Sequence, residues 1–214
     1  MSLKYAFENS IFCVSASRKK SIFAGVLAVA LLLSGTWLIG QGAYIHTKAI
    51  LAQILLETAW AESNQGQKEV KPWPWADTWP VSRLVVPRLG ISRIVLAGAS
   101  GSSLAFGPGH LFGSAASGEN GNIVIAGHRD THFRFLQELK TGDEIQMQTS
   151  NGVDIPYRIS AIRVIHESET QYLAQGETNI LTLITCYPFN AIRPGGPMRY
   201  IVIAIPETRN GKMI

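Results

Sequence analysis

Residues 179–186 read NILTLITC. In an extended strand successive side chains point to opposite faces. Ile180, Thr182, Ile184 and Cys186 therefore share one face, and Leu181, Leu183 and Thr185 share the other. Both faces are largely apolar, which is the pattern of a strand covered on both sides. Cys186 is its last residue before Tyr187-Pro188-Phe189, so the thiol stands where an ordered strand opens into a loop. Such a boundary is both rigid and reachable. Position alone leaves two readings open for Cys186, a nucleophile and a small buried core residue.

Outward from this strand the same short texture recurs. Val81 to Val86, Ile91 to Leu96, Asn122 to Ala126, Glu144 to Gln148, Ile155 to Val164 and Arg199 to Ile205 all read as strands. With Ile180 to Cys186 they make at least seven, separated by Gly and Pro punctuation at short intervals. Helical periodicity after residue 80 is confined to a turn or two around His132 to Leu139, so alternating βαβ units are not expected. The fold class expected is all-β, a closed or nearly closed barrel with short helices.

The 214 residues leave room for one such domain plus an anchor. Hydrophobic residues make up 46% and charged residues 16%, and the apolar excess is concentrated near the start. Ser21 to Ile45 carries no charge, and its most apolar part has about the 20 residues that cross a bilayer. A cleaved signal peptide is the rival reading, but the stretch is longer than a usual signal core and no convincing small-x-small cleavage site precedes polar sequence. Arg18, Lys19 and Lys20 precede the span and only Lys48 follows closely, which places the N-terminus in the cytoplasm and the bulk of the chain outside.

Beyond the span, Ile45, Ala49, Ala52, Leu56 and Ala59/Trp60 recur at helical spacing among Lys48, Gln53 and Glu57. From Ser63 to Trp79 the sequence changes character, and KPWPWADTWP excludes a regular helix. Trp73, Trp75 and Trp79 are expected to pack on the domain, with lipid headgroups as the alternative. The organisation is therefore a cytoplasmic tail over 1–20, a transmembrane helix over 21–45, and a juxtamembrane helix and linker over 46–79. A catalytic domain over 80–206 and a tail over 207–214 follow. The net charge of +4 is spread among scattered basic residues, so no nucleic-acid partner is expected. Cys13 and Cys186 fall on opposite sides of the span, so no disulfide is expected, and Cys13 reads as an unremarkable thiol near the membrane.

Two further residues could serve a thiol at Cys186. His128 ends the run GNIVIAGHRD, where Gly127 closes an apolar strand and the chain turns polar. A thiol of ordinary pKa near ~8.5 is mostly neutral at neutral pH and needs a base or cation nearby, a task imidazole can perform. Spacing along the chain does not fix the distance between them, so a simple turn histidine remains the other reading. Arg199 leads GGPMRYIVIA, a strand in which it shares a face with Ile201 and Ile203. Its fixed charge and several N–H donors suit a tetrahedral oxyanion. The alternative is an arginine snorkelling at a strand end.

These three pieces resemble the sortase family. TLITC at 182–186 is similar to the TLxTC signature, AGHRDTHF to the histidine segment, and PMRY to the arginine segment, in the order His, Cys, Arg. The similarity runs from about Val81 to Pro206. AFGPGHLFGSA and GENGNIVIAGHRDTHFRFL most resemble class D-like sortases and those of Gram-negative bacteria. The resemblance implies an eight-stranded barrel and a cysteine transpeptidase that cleaves an LPxTG-like C-terminal sorting signal. It implies Cys186 as nucleophile, His128 as acid and base, and Arg199 as oxyanion cation, with Thr185 lining the substrate groove. It also implies that thiol and imidazole need not form an ion pair at rest. The partners implied are a protein carrying the sorting signal, an amine acceptor in the cell envelope and the membrane itself. The domain would lie outside the plasma membrane, in the periplasm if the Gram-negative likeness holds.

Cofactors expected are none, and no metal is required. His132, four residues after His128, could be joined with Cys186 in a zinc set, but a fourth ligand is missing. Glu167, Glu169 and Glu177 do not have the spacing of a calcium loop. His110 and His166 read as surface or turn histidines, and Asp130 as a cap for the short helix after His128. The competing functions are a thiol hydrolase that passes the acyl group to water and a tethered binding domain without turnover. A peptidoglycan L,D-transpeptidase would need a SHGCxR-type cluster, which is not what surrounds Cys186.

Overall fold

The structure, a computed structural model, describes residues 3–193 and 195–207, with side chains described from residue 23. The tail expected over 207–214 thus lies outside the described residues from position 208, as do the side chains of Cys13 and of Arg18, Lys19 and Lys20. A long helix, α1 (Leu3–Ser63), opens the chain. The chain divides into two compact units, residues 1–50 and 51–214. In the first unit α1 exposes large apolar side chains, among them Phe23, Leu32, Trp37 and Ile39, each about 70% accessible. From Phe23 onward α1 is long and apolar enough to cross a membrane.

The second unit is a closed barrel of eight strands: β1 (Pro80–Val86), β2 (Ile91–Ala97), β3 (Gly109–His110), β4 (Asn122–Ala126), β5 (Glu144–Thr149), β6 (Asp154–His166), β7 (Ile180–Cys186) and β8 (Met198–Pro206). Around the barrel the order is β1-β2-β3-β4-β7-β8-β6-β5, closed by the antiparallel pairing of β1 with β5. Closure gives every strand a neighbour on both sides, although β2 meets β3 only over Leu96 and Ala97. Each of the seven strands read from alternation is present, with ends shifted by at most two residues. The eighth, β3, is only two residues long and offers no period to detect. A short helix, α2 (Gly101–Leu104), lies between β2 and β3, and a single 3-10 turn over Arg134–Glu138 stands where helical spacing was legible.

Alternation fills the barrel interior with Leu84, Val86, Ile123, Ile125, Ile145, Met147, Tyr157, Leu181, Leu183, Val202 and Ala204. Burial of each large apolar side chain contributes about 1.5–3 kcal/mol. Outside the barrel, the last turns of α1 set Leu56 and Trp60 against Ile94 and Leu96 of β2. The Trp/Pro segment then follows the barrel surface. Trp73 packs edge-on to Phe106 with centroids 4.9 Å apart, and Thr78 Oγ1 donates to Ala97 O at 2.7 Å. Trp79 O accepts from Ala97 N at 2.8 Å, whereas Trp75 is 83% exposed.

Candidate active site

The site grows from one parallel pairing. β4 and β7 run side by side in register, with Ala126 opposite Ile184. His128 and Cys186 each lie two residues beyond this pair, at the same end of the barrel. Gly127 continues the ladder for one more step, its N–H donating to Ile184 O at 3.2 Å. A side chain at Gly127 would meet the ring of the fully buried Phe133 at 2.7 Å, so this position needs glycine. Phe133 N donates to His128 O at 3.0 Å and folds the chain back just after the histidine. The result is an exposed imidazole on a fixed backbone.

Cys186 is half-buried and free of disulfide bonding. Burial alternates along β7: Leu181, Leu183 and Thr185 are buried, whereas Ile184 and Cys186 are only partly covered. His128 and Cys186 line one pocket of about 310 Å³, together with Arg129, Asp130, Ala191, Ile192 and Gly195. Ile192, on the loop from β7 to β8, is 99% exposed at that pocket. The root of the loop is held by aromatic contacts, with the Phe189 and Tyr200 rings 5.0 Å apart and the Tyr187 and Tyr200 rings stacked at 6.2 Å.

Arg199 is the register partner of Cys186 across the antiparallel β7/β8 pair. Its guanidinium, however, is occupied elsewhere. Nη2 donates to Glu167 Oε2 at 2.6 Å, and Nη1 donates to Gly196 O at 2.6 Å and Met198 O at 3.0 Å. Three of the four expected residues are therefore gathered at one end of the barrel. The fourth, Thr185, does not line the pocket: it is 3% exposed, and its hydroxyl donates to Gly127 O at 2.7 Å. Its strand parity puts it on the face opposite Cys186.

Several contacts had no signal in the sequence. Arg129, next to His128, is 7% exposed, and its Nη2 donates to Ala191 O at 3.1 Å and Arg193 O at 2.7 Å. It straps the β7–β8 loop to the histidine segment from more than sixty residues away along the chain. Glu167, weighed above as a calcium ligand, instead meets Arg199. Asp130 does not cap the following helix, whose N-cap is Phe133 without a side-chain bond. His110 lies in β3 rather than a turn, with Nε2 2.8 Å from Ala115 O. Burial pushes His132 below the ordinary imidazole range, against the pull of the Ala105 carbonyl. Among the described residues no group of three or more His, Cys, Asp or Glu comes together in a metal-binding arrangement.

A thiol, an imidazole and a guanidinium at one rim of a barrel are the components of acyl transfer through a covalent intermediate. A family model described as the Sortase domain matches residues 84–207. Sortase D of Bacillus subtilis (strain 168) is 35% identical over 120 residues, which is 56% of this chain and 60% of the relative's length. A Clostridium perfringens Sortase D5 transpeptidase superposes with a TM-score of 0.59 at 27% identity, covering 74% of this chain and 99% of that one. The catalytic domain of B. anthracis SrtD gives a TM-score of 0.52 at 31% identity, covering 60% of this chain and 88% of that one.

Proposed function

Because the chain belongs to the sortase family, we propose that it is a membrane-anchored cysteine transpeptidase that cleaves an LPxTG-like sorting signal and passes the acyl group to an amine. The observation that carries this reading is the shared pocket of Cys186 and His128 at adjacent ends of parallel strands, with Arg199 of β8 paired in register to Cys186 of β7. In the reaction the Cys186 thiolate attacks the threonine carbonyl of the signal. The oxyanion of the tetrahedral intermediate is held by Arg199. Its collapse breaks the Thr–Gly bond, and His128 delivers a proton to the departing glycine amine. The thioacyl enzyme is then attacked by an acceptor amine, which gives its proton to His128, and collapse of the second intermediate expels the Cys186 thiolate.

The exposed apolar stretch of α1 supports anchoring in a membrane, and the basic residues that precede it in the sequence favour the barrel on the outer side, in the periplasm if the cell has two membranes. An anchor of this kind keeps the enzyme beside membrane-tethered substrates. The test is the full chain in detergent with LPxTG-type peptides and a series of amines, products resolved by mass spectrometry. Amine-dependent ligation that vanishes in Cys186→Ala supports the transpeptidase. Cysteine-dependent release of free acid alone, whatever amine is supplied, would replace it with a thiol hydrolase.

A further inference from the structure

Arg199 leans away from the thiol it is paired with. Strand β8 lies between β7 and β6, so Arg199 has Cys186 on one flank and Ile165 on the other. Its charged partner, Glu167, stands two residues beyond Ile165, on the β6 side. The backbone of Glu167 is itself pinned, its N–H donating to Pro197 O at 2.7 Å. The two remaining guanidinium bonds go to the carbonyls of Gly196 and Met198, three residues and one residue before Arg199 in the chain. None of the five donors reaches a group on β7, and Arg199 is not among the residues that line the pocket of Cys186 and His128.

The character of this ion pair matters as much as its direction. The Arg199 and Glu167 side chains are 24% and 52% exposed. An exposed pair at that depth is screened by water and salt and adds little to stability. A weak pair is one that another anion can displace. The Glu167 carboxylate and a tetrahedral oxyanion are both negatively charged oxygen acceptors, and they would draw on the same N–H donors.

We infer that Glu167 is a positioning residue that holds Arg199 in a resting orientation on the β6 side, and that the reacting substrate must draw the guanidinium off Glu167 before it can hold the oxyanion. The inference rests on the role given to Arg199 above. It assigns Glu167 an effect on the rate of acylation that runs through Arg199 alone.

The experiment is the rate of thioacyl formation in the full chain in detergent, at saturating LPxTG-type peptide and without amine, followed by quenching and intact-mass spectrometry. Glu167→Gln keeps the shape and removes the charge. At low salt it should form the thioacyl enzyme about two- to fivefold faster than the wild type, the scale of a surface ion pair. Raising the salt to about 0.5 M should bring the wild type up toward the variant. In an Arg199→Ala background Glu167→Gln should have no effect, a result that a merely structural role for Glu167 would not give. Equal or slower acylation in Glu167→Gln, a gain that salt leaves unchanged, or a gain that persists without Arg199 would each overturn the inference. Failure of the wild type to form any thioacyl species would instead overturn the transpeptidase reading, and the inference with it.

Discussion

The hydroxyl of Thr185 donates to the carbonyl of Gly127 at 2.7 Å, both groups buried, and so joins the residue before Cys186 to the residue before His128. Thr185→Val keeps the shape but leaves the Gly127 carbonyl buried without a partner, at a cost of about 1–3 kcal/mol. The acylation rate should fall while the peptide KM changes little, because the register of the proposed nucleophile and acid is disturbed rather than the binding surface. Thr185→Ser, which retains the donor, should recover most of both. Denaturant melts and single-turnover kinetics on the three proteins check this, and a rate in Thr185→Val equal to that of wild type would remove the proposed coupling.

Arg199 supplies the only cationic side chain that the barrel pairs directly across from Cys186 among the described residues. Loss of one oxyanion donor costs about 10²–10³ in rate. Arg199→Ala should show a fall of that order in kcat/KM for peptide cleavage. Arg199→Lys keeps the charge but not the planar fork, and should fall between the two. Stability should barely change in either, since the ion pair lost is exposed. Steady-state kinetics beside a thermal melt separates the two quantities.

Acid sensitivity has an identifiable source away from the site. Arg88 donates to both oxygens of Asp143, at 2.9 and 2.7 Å, and Lys140 N donates to Oδ2 at 2.7 Å. The Arg88 hydrogen bond holds the Asp143 carboxyl below the ordinary carboxylate range, with burial pulling the other way. A carboxyl whose pKa is lower in the folded chain binds fewer protons there than in the unfolded chain. Its contribution is complete above the ordinary value near ~3.9 and is lost as pH falls through the folded value. Asp143→Asn should therefore lose less stability than wild type on acidification below about pH 4, as measured by urea melts across that range.

Much of this was legible in the sequence because β alternation is a local signal. Residues 180–186 and 199–205 announce their faces, and Gly127 and Pro188 mark where β4 and β7 end, so His128 and Cys186 could be placed at strand ends. What alternation cannot state is which strands are neighbours. β4 and β7 are adjacent and parallel although β5 and β6 intervene in the chain, and that pairing is what brings His128 to Cys186. The same limit hid the contacts of Glu167 and Arg129, whose partners lie 32 and more than sixty residues away. The partner of Thr185 was hidden in the same way: its side chain faces inward, where a hydroxyl needs a partner, and the carbonyl it finds, that of Gly127, lies just past the end of another strand.

The last turns of α1 belong to the barrel in energetic terms. Leu56 and Trp60 are 1% and 3% exposed, packed on Ile94 and Leu96 with Phe106 alongside. Arg83 lies 5.7 Å from the Trp60 ring centroid and pairs with Glu57 through Nη2 at 2.5 Å. Removing a buried tryptophan costs about 3–5 kcal/mol, so Trp60→Ala in the full chain should lower the melting temperature by roughly 6–20 °C. A soluble fragment beginning at Val81 loses this cover and also the bonds that Thr78 and Trp79 make to Ala97, stripping Leu56 and Trp60 from Ile94 and Leu96 of β2. It should melt at least as low as Trp60→Ala and bind an apolar dye, whereas a fragment beginning at Leu51 should do neither. Indistinguishable melts for the two fragments would show that the helix contributes nothing to the barrel. Melts that differ as expected would mean that catalytic measurements made on the shorter fragment describe a destabilised domain.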